Sequence, residues 1–256
     1  MAAETLVPTT ADEAVASFGD GEGVLVFAGG TILMPEFAAG RLAPTRVLML
    51  HRSGLDGLQA DNGVVRIGAM ATLASLVDGD DPLLARFASE MADVEVRRAG
   101  TVGGNLCAPP ASGAQRGDLG APLIALGARV RSVGDGAERT EPVEDFLAGE
   151  RAGRLVLGVE YDRGARASAA ETMRRRHAHS YAVANVAVCS RDGSLRIGVS
   201  GVGPTALRCP AAEESRNPDD VLRDVDPVDD ALASADYRRK VLPLLLRRAL
   251  DRLEAG

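Results

Sequence analysis

Hydrophobic positions along the chain fall into short runs punctuated by glycine. Val24-Leu25-Val26-Phe27, with glycines close on both sides, is rich in β-formers and predicts a buried strand. Ile32–Ala39 has helical spacing, and Pro35 is tolerable in a first turn. Arg46–Leu50 predicts a second buried strand, and Val64–Gly68, after the Asn62-Gly63 turn, a third. Thr72–Val77 and Pro82–Met91 read as helices. Strands alternating with helices suggest α/β structure for this first stretch. Around residues 151–170 the character changes to small residues and charges, in RAGRLVLGVEYDRGARASAAE. Beyond it, two alternating runs, Ala182–Ser190 and Ser194–Ser200, meet at Asp192-Gly193, a strong hairpin signal. Residues 211–228 are acidic and proline-containing, which predicts a surface loop. Ser234–Leu253 predicts a helix with Val241, Leu245, Ala249 and Leu253 on one face and Pro243 bending or interrupting it. These shifts divide the chain near residue 160, into regions 1–160 and 161–256, without internal repeats or low-complexity segments.

Composition narrows the class. At 256 residues, 46% hydrophobic and 25% charged, the chain can hold one large or two smaller domains, each with a core. It has no Trp, three Tyr and five Phe, so small aliphatic contacts must dominate its packing. A formal charge of -7 argues against a nucleic-acid partner, which demands a surplus of Lys and Arg. The segment MAAETLVPTTADEAV lacks the basic and apolar parts of a signal peptide. No run approaches the roughly 20 apolar residues of a membrane span. Cys107, Cys189 and Cys209 are widely spaced and odd in number, fitting neither a disulfide framework nor an iron–sulfur or zinc pattern. The expectation is a cytoplasmic protein with reduced cysteines, away from membranes.

Two glycine pairs carry the candidate chemistry. Ala28-Gly29-Gly30-Thr31 lies between a predicted strand and a predicted helix. A helix start presents unpaired N–H groups, glycines let a phosphate approach them, and Thr31 adds a hydroxyl. A plain tight turn with left-handed glycines would read the same way. Neither GxGxxG nor GxxxxGK[ST] occurs. Thr101-Val102-Gly103-Gly104-Asn105 is the second pair, for which a glycine bend or β-bulge is the plain alternative. Together the two loops suit a ligand with two separate polar zones, such as a dinucleotide. Asp118, before the run Leu119–Leu126, could accept from sugar or ribityl hydroxyls or could cap a helix.

With these residues assembled, a resemblance emerges. VLVFAGGTILMPEF, VVRIGAMATLASL, AGTVGGNLCAP and GDLGAPLIALGARV resemble the FAD-binding (medium) subunits of molybdenum hydroxylases, the xanthine dehydrogenase and aerobic carbon monoxide dehydrogenase type. That family's pattern runs AGGxxLxP, lrIGAmtt and TxGGNlxxxxPxxDlxxxLlALgA. SYAVANVAV, RIGVSGVGPTALR and ADYRRKVLPLLLRRAL resemble its later segments, so the likeness covers nearly the whole chain in order. It implies an α+β fold: a two-lobed FAD-binding domain of the PCMH/vanillyl-alcohol-oxidase type, with lobes of approximately 1–55 and 56–160. A smaller C-terminal domain of antiparallel sheet and helices would follow. It further implies that Ala28, Gly29, Gly30, Thr31 and Ile32 cradle the FAD pyrophosphate. Thr101, Gly103, Gly104 and Asn105 would close over the cofactor, Asp118 would hold its hydroxyls, and Tyr181 would cover the isoalloxazine ring. Tyr181 as a core residue at a hairpin edge is the alternative. By the same resemblance, catalysis on substrate would lie elsewhere, with molybdopterin on a large subunit and [2Fe–2S] clusters on a small subunit, in a dimer of heterotrimers.

Three departures from the family pattern stand out. Ile32 occupies a commonly polar position, the Asn105–Asp118 stretch is longer, and Ser180 replaces an Asp. A free-standing FAD oxidoreductase, or a structural subunit that has lost its flavin, are the rival functions. The remaining candidates are plainer. His177 and His179 lack nearby acidic or thiol ligands and read as a surface pair, His51 is isolated, and Arg174-Arg175-Arg176 reads as a solvated face.

Overall fold

A computed structural model describes residues 3–110, 118–134, 137–175 and 181–255. The chain opens with β1 (Glu4–Leu6) and α1 (Ala11–Phe18). Thr10 caps α1 by accepting the Glu13 N–H at 3.1 Å, and the Glu13 carboxylate accepts the Thr9 N–H in return at 2.7 Å. Next come β2 (Val24–Phe27), α2 (Leu33–Ala38) and β3 (Arg46–Met49). The three strands form a parallel sheet in the order β1-β3-β2. Central β3 buries Val47 and Leu48. The expected burial of the 24–27 strand is corrected: β2 is an edge strand, and all four of its residues are half-buried.

The second region begins with the hairpin of β4 (Leu58–Asp61) and β5 (Val64–Gly68), turned by Asn62 and Gly63, both at positive φ. Four short helices follow: α3 (Leu73–Val77), α4 (Pro82–Glu90), α5 (Val94–Ala99) and α6 (Val102–Leu106). Each is capped by an oxygen side chain, from Thr72, Asp81, Asp93 and Thr101 in turn, which accepts N–H groups of the first turn. Then come α7 (Gly120–Ala125), β6 (Arg129–Gly134), β7 (Ala137–Pro142), α8 (Val143–Ala148) and β8 (Leu155–Asp162). The five strands pair antiparallel throughout, in the order β4-β5-β8-β6-β7. The α/β reading of the first stretch therefore holds only up to β3. The helices after β5 run consecutively instead of crossing between parallel strands.

The last region carries a third, antiparallel sheet of β9 (Ala167–Arg174), β10 (Ala182–Arg191), β11 (Ser194–Ser200) and β12 (Leu207–Arg208). Asp192 and Gly193 turn the β10–β11 hairpin with φ of 50° and 79°, as the dipeptide predicts. The expected surface loop at 211–228 is instead largely helical, with α9 (Pro210–Ser215), a 3-10 turn at Pro218–Asp220 and α10 (Val221–Asp224). Ala212, Val221 and Val225 are its buried anchors, too sparse among acids and prolines to register as a periodic pattern. Finally α11 (Ala235–Ala255) runs through Pro243 without the break that was one of the two expectations there. Pro243, Leu242, Leu245, Leu246 and Ala249 are all buried, and this packing holds the helix together across the missing N–H.

The largest core ties the second and third regions together. Ala170, Ala187, Cys189 and Ala206 pack in one cluster with Leu123, Ile124, Val130 and Phe146. At Gly198 of β11 a Cβ would come within 2.1 Å of the Ala121 carbonyl oxygen, so α7 rests directly on the third sheet. Together the architecture is the α+β arrangement anticipated from the sequence.

Candidate functional site

A cleft of about 430 Å³ opens between the edge strand β2 and the short helices α5 and α6. Its first wall is the turn after β2. Ala28, Gly29 and Gly30 are half-buried and Thr31 is exposed. Gly30 sits at φ 72°, a conformation that side-chain-bearing residues rarely adopt. Gly29 is required for another reason: a Cβ there would lie 1.8 Å from the Ala99 carbonyl oxygen at the end of α5. The N–H groups of Gly29, Gly30, Thr31 and Ile32 have no partner among the described residues. Ile32, the N-cap of α2, contributes no side-chain cap. This turn therefore presents a row of open donors.

The second wall looks similar in sequence and differs in use. Thr101 caps α6, its hydroxyl oxygen accepting the Gly104 N–H at 3.2 Å. Gly103 donates to the Ala69 carbonyl at 2.8 Å, and a Cβ on it would come within 2.9 Å of the Ala69 side chain. Asn105 accepts the Leu119 N–H at 3.0 Å on its side-chain oxygen, while its amide nitrogen lies 3.9 Å from the Met91 sulfur. The segment is thus a capped helix start, in place of the glycine bend or bulge considered from the sequence. Gly103 lies behind the cleft and faces a neighbouring 490 Å³ cavity; Gly104 borders both.

Asp118, Arg174 and Tyr181 complete the lining. Asp118 is buried, accepts from the Asn185 side-chain amide at 2.9 Å and pairs with the Arg174 guanidinium at 3.7 Å. Burial pushes its carboxyl pKa up. Arg174 and the Asn185 hydrogen bond pull it down, and Glu90 adds a small upward push. Its place as a helix cap is excluded, since Leu119 is the N-cap of α7. Tyr181, 47% exposed, stands at the cleft rim, so the core alternative for this residue is corrected.

All the sequence-derived site residues except Gly103 therefore meet in one cleft. Arg174 is the residue that sequence reasoning missed: it reads as part of a solvated basic triplet, yet it is partly buried against Asp118. Only its position at the end of β9, next to the cleft, distinguishes it from Arg175, which hydrogen-bonds the Ala231 carbonyl. His51 is exposed, and no cluster able to hold a metal ion occurs among the described residues. His177, His179, Ser180 and Arg176 lie outside the described residues. No helix among the described residues is long and apolar enough to cross a membrane. Open backbone donors and a hydroxyl on one wall, with a buried carboxylate and a guanidinium deeper in, suit a ligand that joins an anionic part to a hydroxyl-bearing part.

A two-walled cleft between the edge of a small parallel sheet and short capped helices, lined by paired glycines, is the architecture of a nucleotide-type cofactor site. The chain belongs to the family described as the FAD binding domain in molybdopterin dehydrogenase, whose model matches residues 1–160, and is the FAD-binding subunit of an oxidoreductase of the molybdenum hydroxylase class. It is 27% identical over 275 residues to the carbon monoxide dehydrogenase medium chain of Hydrogenophaga pseudoflava, covering 95% of this chain and 94% of that one. It is also 27% identical over 261 residues to the 6-hydroxypseudooxynicotine dehydrogenase complex subunit alpha of Paenarthrobacter nicotinovorans, covering 90% of this chain and 86% of the relative. The structure superimposes on a chain of the Hydrogenophaga pseudoflava carbon monoxide dehydrogenase that lacks the Mo-pyranopterin moiety of its cofactor. The TM-score is 0.87 at 28% identity, and the match covers 100% of this chain and 98% of that one. Both relatives are named as one chain of a larger complex.

Proposed function

We propose that the cleft holds FAD and that the chain relays electrons from [2Fe–2S] clusters on a small partner subunit to an external acceptor such as NAD⁺, O₂ or a quinone. In this reading the substrate is oxidised at a molybdopterin centre on a large partner subunit, and the assembly is a dimer of heterotrimers. The observation that carries it is the row of open N–H groups from Gly29 to Ile32, facing the same cleft as the buried Asp118. When bound, the flavin supplies the exchange between one-electron and two-electron carriers.

The chain's own residues have distinct tasks. Gly29, Gly30, Thr31 and Ile32 offer donors to the pyrophosphate, and the glycines keep side chains out of its approach. Thr101 and Asn105 fix the opposite wall through the cap on α6 and the bond to Leu119. Asp118, oriented by Asn185, accepts from the cofactor's hydroxyls while Arg174 balances its charge. Tyr181 at the rim covers the ring system. In this reading the cleft residues bind and orient the cofactor, and substrate oxidation happens on another chain. The test is a visible absorption spectrum of the purified full-length chain, with chromatography of cofactor released on denaturation. Flavin bands and released FAD are expected. No flavin, even after incubation with excess FAD, would overturn the reading for this chain.

A further inference from the structure

The cleft wall between the two glycine loops contains a backbone anomaly. Ala92 has φ of 42°, a left-handed conformation that is unfavourable for alanine. It belongs to the turn Met91-Ala92-Asp93, and all three residues line the cleft. One side chain bridges this turn. The Arg97 guanidinium, one turn into α5, reaches back and donates to the carbonyls of Met91 and Ala92, both at 2.8 Å. Asp93 caps the same helix by accepting the Val96 N–H at 2.7 Å. The far end of α5 is the Ala99 carbonyl that presses on Gly29, so one short helix joins the strained turn to the first glycine loop.

The geometry points to Arg97 as a positioning residue for the cofactor: its two hydrogen bonds hold Ala92 in the left-handed region and so set the Met91–Asp93 wall against which the flavin binds. This rests on the cleft being the FAD site. Arg97 is partly buried and is not among the cleft-lining residues, so it acts through the turn and not by contact with the ligand. A charged donor shared between two carbonyls is stronger than a neutral one, which explains how a single side chain can hold a disfavoured φ. Without it, alanine relaxes toward negative φ and the wall shifts. Glycine at position 92 would adopt positive φ without that cost.

The test uses the full-length chain and titrates it with FAD, following flavin fluorescence and visible absorption, with thermal melting of each apo variant alongside. Arg97→Met should weaken FAD binding about tenfold and alter the resolution of the bound-flavin absorption bands, because the expected loss is that of one disfavoured backbone conformation. Ala92→Gly alone, measured in the same way, is the reference against which the double variant is read, because it relieves the strain but also removes a methyl from the cleft wall. Adding Ala92→Gly to Arg97→Met should recover most of the loss, a rescue that a merely stabilising arginine would not show. Equal affinity and an unchanged spectrum in Arg97→Met would overturn the positioning role, as would a loss of affinity that Ala92→Gly leaves uncorrected. A parent chain that takes up no FAD would overturn the assignment of the cleft instead, which keeps the two failures apart.

Discussion

The two glycine pairs read almost alike in sequence, and the structure uses them in opposite ways. On the first wall, Gly29 and Gly30 leave their N–H groups open, and Gly30 adopts positive φ. On the second, Gly103 and Gly104 spend theirs on Ala69 and on the Thr101 hydroxyl. The first pair makes a surface for a ligand. The second lets a helix start pack against β5's end and supports the opposite wall. Glycine in a polar setting thus signals close approach of something, and only the hydrogen-bond accounting tells whether that something is a ligand or another part of the chain.

Substitutions can break this contrast in graded steps. Gly29→Ala should be the most damaging, because its Cβ would meet the backbone carbonyl of Ala99 at 1.8 Å and neither side is a flexible side chain. A loss of about 3 kcal/mol or more in denaturant unfolding is expected, together with loss of bound FAD. Gly103→Ala meets Ala69 at 2.9 Å and should cost about 1–2 kcal/mol. Its FAD affinity, measured by fluorescence titration, should change far less, since the residue lies behind the cleft. Equal losses of stability and affinity at both positions would erase the distinction between the walls. Thr101→Val removes the α6 cap, for an expected cost of about 1 kcal/mol by the same unfolding assay.

Asp118→Asn should have the smallest effect, and one that depends on pH. Burial raises the carboxyl pKa above its ordinary value, so the folded state holds this proton to higher pH than the unfolded chain does. The stability this group contributes is present below its unfolded pKa, near about 3.9, and is lost as pH rises through the folded value. Unfolding measured from acid toward neutral pH should therefore show Asp118→Asn equal to the parent at the acid end and more stable at neutrality. A variant less stable at neutral pH would show that the Arg174 and Asn185 contacts outweigh desolvation.

Much of this was legible in the chain itself, for identifiable reasons. β2, β3 and the Asp192-Gly193 hairpin follow from short β-prone runs, with glycines beside β2 and in the hairpin turn, local signals that tertiary packing did not override. The motif-based resemblance located both walls of the cleft. What escaped notice depends on partners distant in sequence. Arg174 is distinguished from Arg175 by Asp118, which approaches from the segment leading into α7. The helices of 210–224 are held by three buried side chains and an Asn-Pro start, which leave no continuous apolar stripe. Continuity of α11 through Pro243 likewise depends on what its flank packs against, and propensity carries no information about that. The half-burial of β2 follows from its place at the sheet edge, a matter of strand order that no run of residues encodes.

The core shared across residue 160 has a consequence for how the molecule comes apart. Alanines of β9 and β10 lie in the same cluster as α7 and β6, and the Ala121 carbonyl abuts Gly198 with no side chain between them. A gene truncated at the end of the matched family segment would leave this alanine-lined face open to water, and the fragment would be prone to clump during synthesis. In the whole chain the same face makes the two regions melt as one unit, so heating should show a single cooperative transition.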